Sequence, residues 1–277
     1  MKAKEVMSKD YVKVDVHDTV SAVFGKLKRT KHSTALIFEG DKYKGVFSKH
    51  RIIKTRLDPV KLKVRKVIKH VPVLNGGEDL KKTARLIYTS NMPVLPVIVK
   101  NKLLGVVKAI DVVDNLGLKA KRKKMSEVAT HEPLVVHEND ETATAIRAMF
   151  YNAVDRLPIV DKEGNLLNIV SLHDILTHFL LMQQSKTEAR GRGGLTQKGP
   201  RTIRAYRKRP DIRALPVRNF ATPIIITASM DDNVRTVIAK MKKFDISSIV
   251  IAKGKKPVGI VTIRDLLSLF LKEYVNK

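Results

Sequence analysis

Ser248-Ile249-Val250-Ile251, followed by Gly259-Ile260-Val261-Thr262-Ile263-Arg264-Asp265, reads as two short apolar strands around a turn that lead straight into a helix. Just upstream, Ile224-Ile225-Ile226-Thr227 makes an earlier strand, and Asp231 to Phe244 carries its apolar residues at helical spacing. The order is strand, helix, strand, strand, helix.

Three earlier stretches follow the same order. Leu134-Val135-Val136, Thr142 to Tyr151, Leu157-Pro158-Ile159-Val160 and Asn168-Ile169-Val170-Ser171-Leu172-His173-Asp174 form one copy, with a closing helix expected to run through Leu180. At the N-terminus, Val12, Val14 and Val16 alternate with polar residues before a helix over Val20 to Arg29, the strand Ala35-Leu36-Ile37-Phe38, and Gly45-Val46-Phe47-Ser48-Lys49-His50-Arg51. Between these lie Val71-Pro72-Val73-Leu74, Leu80 to Tyr88, Val94-Leu95-Pro96-Val97-Ile98-Val99 and Gly105-Val106-Val107-Lys108-Ala109-Ile110-Asp111. Four copies spaced by about sixty residues make an internal repeat the organising feature.

The β-α-β-β-α order and the closing Gly-apolar-apolar-Ser/Thr-x-x-Asp pattern resemble the cystathionine-β-synthase (CBS) domain, over nearly the whole chain. The resemblance implies a mixed α/β (α+β) fold of four repeats in two pseudo-symmetric tandem pairs. The expected boundaries are 1–58 and 59–117 for the first pair, 118–124 for a basic connector, 125–182 for repeat three, 183–217 for an Arg/Gly-rich insertion and 218–277 for repeat four. Paired domains of this kind form discs through helix contacts, within one chain or between the chains of a homodimer. The apolar helix faces Ile175, Leu176, Phe179, Leu180, Leu181 and Leu266, Leu267, Leu269, Phe270, Leu271 are expected mainly as core between paired repeats, with the remainder a dimer face.

Composition fits a soluble protein with two cores: 277 residues, 43% apolar, without Trp. No uninterrupted apolar run reaches the length of a membrane span, and the first residues enter the first repeat without a leader, so a cytoplasmic protein with no membrane partner is expected. With no Cys, thiolate chemistry and disulfides are excluded, and the eight His show no metal-ligand spacing. No nucleophile elbow, Walker lysine loop or His-Glu-x-x-His occurs, so a non-catalytic protein is expected, with no required cofactor.

Charge is uneven. The 54 basic and 27 acidic residues leave +27. Residues 1–117 hold 25 basic and 11 acidic side chains, whereas 125–182 hold 3 and 9, an acidic island in a cationic chain. Residues 183–217 hold 10 basic and 2 acidic, around Gly191, Gly193, Gly194 and Gly199. That segment is too polar and Gly-rich to build a core and is expected to be flexible when free.

Arginine suits bidentate phosphate contact and an aromatic within an Arg-rich run adds a stacking face, so RNA is the expected partner. The candidate contacts are Arg190, Arg192, Arg201, Arg204, Tyr206, Arg207, Lys208, Arg209 and Arg213, with Lys119, Lys121, Arg122, Lys123 and Lys124 of the connector. An inert linker is the plainer alternative, but such linkers mix signs or favour Ser, Glu and Pro. A Lys-rich heat-adapted surface would need Glu in similar number. DNA or an anionic membrane would use the same field without a helix-turn-helix or a bulky amphipathic basic helix to direct it.

The family's closing hydroxyl and carboxylate hold the phosphate and ribose of an adenosine ligand. Thr262 with Asp265 and Ser171 with Asp174 match that pattern. Repeat one has Arg51 in place of the Asp, and repeat two has Lys108 in place of the hydroxyl, so ribose recognition is lost in one and altered in the other. The nucleotide (AMP, ADP or ATP) is therefore expected in the C-terminal half. Family backbone contacts to the base fall on Thr227, Ile246 and Ser247, with Val136 and Arg156 in repeat three. Ser, Thr and Asp at helix starts also cap helices for stability alone.

Two functional readings follow from the resemblance. One is a factor that binds a ribosomal subunit and its rRNA and represses translation, as in archaeal tandem-CBS proteins that associate with ribosomes, with an adenine nucleotide as a gate. The other is an adenine-nucleotide sensor that regulates a partner enzyme, similar to the γ subunit of the AMP-activated kinase.

Overall fold

Each repeat begins before its first strand, at a short lead-in that the sequence pattern did not mark. The computed structural model describes residues 1–30, 32–48, 51–52, 62–115, 118–152, 154–178, 211–222 and 225–275. In that chain the first repeat holds β1 (Lys13–Asp15), α1 (Val20–Thr30), β2 (Leu36–Glu39) and β3 (Lys42–Phe47). The second holds β4 (Ile68–Lys69), α2 (Leu80–Ser90), β5 (Val94–Val99), β6 (Lys102–Lys108) and α3 (Ala109–Val113), and α4 (Leu118–Arg122) follows. The third holds β7 (Thr130–His131), β8 (Val136–His137), α5 (Thr142–Tyr151), β9 (Arg156–Val160), β10 (Leu166–Ser171) and α6 (172–178). The fourth holds β11 (Thr227–Ala228), α7 (Val234–Phe244), β12 (Ser248–Lys253), β13 (Lys256–Thr262) and α8 (Ile263–Val275).

The mixed α+β class is as expected, and the first strands are shorter than their apolar runs. Ile225 and Ile226 precede β11, and Leu74 makes only an isolated parallel bridge to Val97. In repeats one, three and four the strand before the crossover helix pairs parallel to the strand after it, and in all four repeats that strand pairs antiparallel to the next, as Lys13↔Leu36 and Leu36↔Val46 illustrate. The helix between the parallel strands is the crossover such pairing requires. Asp79 and Asn233 cap two of these helices, accepting the amides of Lys82 and Thr236.

A 3-10 turn opens each lead-in and buries its first residue completely: Ala3, Val64, Met125 and Val217. These turns dock on the other member of the pair. The amide of Ala3 donates to the carbonyl of Glu78 at 2.7 Å, and that of Val64 to Asp18 at 2.9 Å. In the second half the amide of Met125 donates to Asp232 and that of Val217 to Asp140, both at 2.9 Å.

The lead-in then adds backbone to the partner's sheet. Ser8 bridges Val106 of β6, β4 pairs with β3, β7 pairs with β13, and Ala221 bridges Val170 of β10. Repeats one and two are thus laced by mutual exchange, and so are three and four. The closing Gly serves this contact: a Cβ on Gly105 would meet Ser8 O at 2.5 Å, and one on Gly45 would meet Lys69 O at 2.8 Å. Such distances are below van der Waals contact, so only a side chain without Cβ admits the neighbouring strand.

Helices join the halves. One core gathers Leu80, Ala84, Ile87 and Val112 of repeat two with Val237, Met241, Leu266 and Phe270 of repeat four. A second gathers Val23, Phe24 and Leu27 of repeat one with Ala145, Met149, Ile175 and Leu176 of repeat three. A third, smaller core packs Leu36, Phe38 and Val46 against Met92, Val94 and Val106, between the sheets of repeats one and two. The expectation for the helix faces is corrected here. Ile175, Leu176, Leu266, Leu267 and Phe270 are buried across the two halves, two with four and one with three, not between the members of a pair. Leu269 and Leu271 are partly buried against the same core, and Phe179, Leu180 and Leu181 lie outside the described residues.

Two expected connectors are also redrawn. In 118–124, α4 forms and the carbonyl of Lys123 accepts the amide of Val234, so the segment is strapped to the start of α7. Residues 211–217 of the supposed insertion belong to the fold, because Thr142 donates its amide and its hydroxyl to the carbonyl of Leu215 at 2.8 and 2.7 Å. No helix among the described residues is long and apolar enough to cross a membrane.

Candidate functional site

The exchange of lead-ins opens a cavity of about 850 Å³. Repeat one lines it with Ser8 to Val12 (Lys9 excepted) and Thr34 to Leu36, and repeat two with Pro93, Val94, Val106, Lys108, Ile110 and Asp111. Its far wall comes from the other half: Met241, Lys242, Asp245, Ile246, Ser247 and Ile263, with Arg156. That volume suits a nucleotide-sized ligand.

Its chemistry is divided. Val12, Ala35, Leu36, Val94 and Val106 are buried and supply an apolar slot. Polar groups face one another near it. Lys108 Nζ lies 2.9 Å from Asp10 Oδ2, and His32 Nε2 lies 3.0 Å from Asp10 Oδ1. The Lys108 hydrogen bond, with the nearby charges of Lys108 and His32, holds the Asp10 carboxyl below its ordinary value. Among the described residues no cation pairs with the Asp111 carboxylate, and half-burial pushes its pKa up. Lys242 reaches across the halves to Asp114 at 2.7 Å, which raises the lysine's pKa. Arg156 is half-buried, and that burial lowers its pKa while Asp174, Asp155 and Asp245 oppose the shift.

Of the nine residues expected at a nucleotide, Arg156, Ile246 and Ser247 line this cavity and the others do not. The carbonyl of Ser247 already accepts the amide of Ile263 at 2.9 Å. Val136 is buried in β8 opposite Ile159, and the carbonyl of exposed Thr227 accepts Lys240 Nζ at 3.1 Å. Both hydroxyl–carboxylate pairs are turned inward. Ser171 donates to Asp174, which also accepts the hydroxyl of Thr222 at 2.9 Å. Thr262 donates to Asp265 at 2.8 Å, and the amide of Asp265 donates back to the hydroxyl at 3.3 Å. This is the capping arrangement.

The residues that sequence reasoning passed over are Asp10 and His32. Their signal is weak, because Asp10 lies before the first strand and its partner Lys108 is 98 positions away.

The cationic candidates divide as well. Lys121 donates to the carbonyl of Asp114, Lys123 pairs with Glu127 at 3.3 Å, and Lys124 with Asp231 at 3.0 Å. Arg213 grips Asp211 through Nε and Nη2 at 2.9 and 2.7 Å. Lys119 lies in α4, and Arg122, at its end, is exposed. Arg190, Arg192, Arg201, Arg204, Tyr206, Arg207, Lys208 and Arg209 lie outside the described residues.

A family model, that of the CBS domain, matches residues 3–58, 125–181 and 208–272. Over 271 residues, 95% of this chain, the sequence is 22% identical to an uncharacterised protein of Methanocaldococcus jannaschii. Over 198 residues, 71% of this chain, it is 24% identical to an uncharacterised 33.4 kDa protein in a ribosomal RNA operon of Thermofilum pendens. In each case this chain spans 60% of the relative's length. A crystal structure of a second Methanocaldococcus jannaschii protein, put forward as an archaeal homologue of γ-AMPK, superposes with a TM-score of 0.75 at 17% identity, covering 98% of this chain and all of that one.

Proposed function

Since this chain belongs to the CBS-domain family, we propose that it is a non-catalytic regulatory protein that senses an adenosine nucleotide in the cavity between its first and second repeats. The observation that carries this reading is the cavity's composition. Apolar walls from β2, β5 and β6 suit a purine face, and the half-buried carboxylate of Asp111 suits a ribose diol. Lys108 and Arg156 on its wall are cations that a ligand phosphate could meet. The likeness to the γ-AMPK homologue is one of fold, and it agrees with a sensor assembled from four such repeats.

A ligand seated there would touch both halves, because Arg156, Ile246 and Ser247 share the cavity with Tyr11 and Asp111. Occupancy would then bias how the halves pack, and through them a partner enzyme, provided the ligand has different affinities for the two arrangements. Calorimetric titration of the whole chain with adenosine, AMP, ADP and ATP tests the reading, with Asp111→Ala as the control. Micromolar binding lost in the variant is expected. Absence of heat or of competition at millimolar ligand would refute it.

A second reading rests on charge. The +27 of the chain exceeds what nucleotide sensing needs and suits a ribosomal subunit and its rRNA, with residues 183–210 as the contacting arm. The Thermofilum relative, in a ribosomal RNA operon, is compatible with it. Lys123, Lys124 and Arg213 each pair with a carboxylate of this chain, pairs exposed enough for a phosphate to compete with. Salt-sensitive co-sedimentation with one subunit, lost on deleting 183–210, is its expected signature. A homodimer is a further expectation of the family, checked by light scattering.

A further inference from the structure

In a chain of +27 the cavity is not a cationic one. The Lys, Arg and His side chains on its wall all have carboxylates of the same chain near them. Lys242 is held by Asp114 at 2.7 Å, and Arg156 stands among Asp174, Asp155 and Asp245. Lys108 donates to Asp10 Oδ2 at 2.9 Å, and the His32 ring stands beside the other carboxylate oxygen, its Nε2 3.0 Å from Oδ1. The second nitrogen of His32 meets another acceptor, the carbonyl of Thr30 at 2.7 Å. Asp111 adds a further negative charge with no cation within ion-pair distance among the described residues.

Asp10 differs from the other carboxylates. Its side chain is 67% exposed, and it comes from the lead-in, whereas Lys108 closes β6 on the partner repeat. Lys108 occupies the position where the other closing motifs carry a hydroxyl, so the cation most suited to a ligand phosphate is the one that Asp10 covers. We propose that Asp10 is a built-in anion that competes with ligand phosphate for Lys108 and His32, so that the cavity selects a nucleoside or monophosphate over a polyphosphate. This deepens the adenosine reading of the cavity and rests on it for the identity of the base.

The physical reason is charge balance. A neutral nucleoside enters beside the Lys108–Asp10 pair and leaves it intact. A polyphosphate must either displace Asp10 or lie against it, and each added phosphate brings more charge towards the exposed Asp10 and the half-buried Asp111, a repulsion that falls as salt is added. Asp10→Asn keeps the shape and removes the competing charge.

The test is titration of adenosine, AMP, ATP and inorganic tripolyphosphate into the wild type, Asp10→Asn, Asp10→Glu and Asp10→Asn/Lys108→Gln, all at 0.15 M salt. Asp10→Asn should improve ATP affinity on the order of ten-fold while adenosine stays within about two-fold. Asp10→Glu should keep the wild-type preference, and adding Lys108→Gln should abolish the gain. Tripolyphosphate reports on the charge gate without the base, so its tighter binding to Asp10→Asn supports the proposal even if adenosine fails to bind and the adenosine reading falls. Equal ATP-to-adenosine ratios in wild type and Asp10→Asn, with tripolyphosphate also unchanged, overturn it and leave the adenosine reading standing. A gain that survives Lys108→Gln also overturns it, since the phosphate would then be held elsewhere on a cationic surface.

Discussion

The hydroxyl of Thr262 and the carboxylate of Asp265 satisfy each other, 2.8 Å apart, at the start of α8. The same carboxylate accepts the Thr262 amide at 2.8 Å. A pair engaged in this way stabilises a helix start whether or not a ligand is near, and neither residue lines the described cavity. Thr262→Ala should therefore cost about 1 kcal/mol of stability, read by urea unfolding, and leave adenosine or AMP affinity in that cavity within about two-fold. A ten-fold loss of affinity would return the ligand to this motif.

How far the sequence reached follows from where its signals lie. The closing run Gly259-Ile260-Val261 and its counterparts are contiguous and apolar, so the order of elements within a repeat was legible. The lead-ins were not. Each offers only one or two wholly buried residues, such as Val64 with Val67 or Val217 with Phe220, within a charged stretch, and their meaning depends on a partner repeat distant in the sequence. The pairing of Phe270 with repeat two was hidden for a related reason: an apolar helix face states that it is covered, not by what. The cavity escaped because intact hydroxyl–carboxylate pairs drew attention to repeats three and four, while Asp10 and Lys108 meet only in three dimensions.

Asp111 couples affinity and stability in opposite senses. Burial raises its folded pKa above the ordinary 3.8, so its contribution to stability is present below 3.8 and is lost as pH rises through the raised value. Above that point the ionised carboxylate is a cost. Asp111→Asn should match the wild type at low pH and melt at a higher temperature near neutrality, a difference seen by calorimetry across pH 3 to 7. The same change should weaken adenosine binding about ten-fold or more through loss of a charged acceptor for the ribose hydroxyls. A variant neither more stable nor weaker in binding would remove Asp111 from the site.

Arg264 clasps repeat two from repeat four. Its guanidinium carbon stands 4.1 Å from the centre of the Tyr88 ring, and Nη1 donates to the carbonyl of Tyr88 at 2.9 Å and to Asn91 Oδ1 at 3.1 Å. A cation over an aromatic face at an exposed site contributes about 0.5–1 kcal/mol, and each net hydrogen bond about as much. Arg264→Ala should cost about 1–2 kcal/mol in urea unfolding, and Arg264→Lys should recover less than half, because Lys lacks the planar fork. Full rescue by Lys would reduce the contact to simple charge.

Gly105 tests the exchange of lead-ins itself. A Cβ there would fall 2.5 Å from Ser8 O and 2.7 Å from Met7 Cγ, and the backbone oxygen cannot turn aside without giving up its bond to the amide of Val106 at 2.9 Å. Gly105→Ala should therefore lift the first lead-in from β6 and cost more than the 1–3 kcal/mol typical of overpacking. The consequence should be directional. Loss of the Ser8–Val106 bridge moves Asp10 away from Lys108, since only one residue separates Ser8 from Asp10. Hydrogen exchange should show faster exchange at the amides of Ser8 and Val106, whereas the Val170–Ala221 bridge in the other half keeps its protection. Gly40, whose added Cβ would meet nothing within 4 Å, is not a usable control because its φ of +55° strains any other residue. Gly25 in α1 is, because it meets nothing and is helical: Gly25→Ala should leave both bridges protected and raise stability by up to about 1 kcal/mol. Equal effects of the two substitutions would mean that the lead-in is not what Gly105 protects.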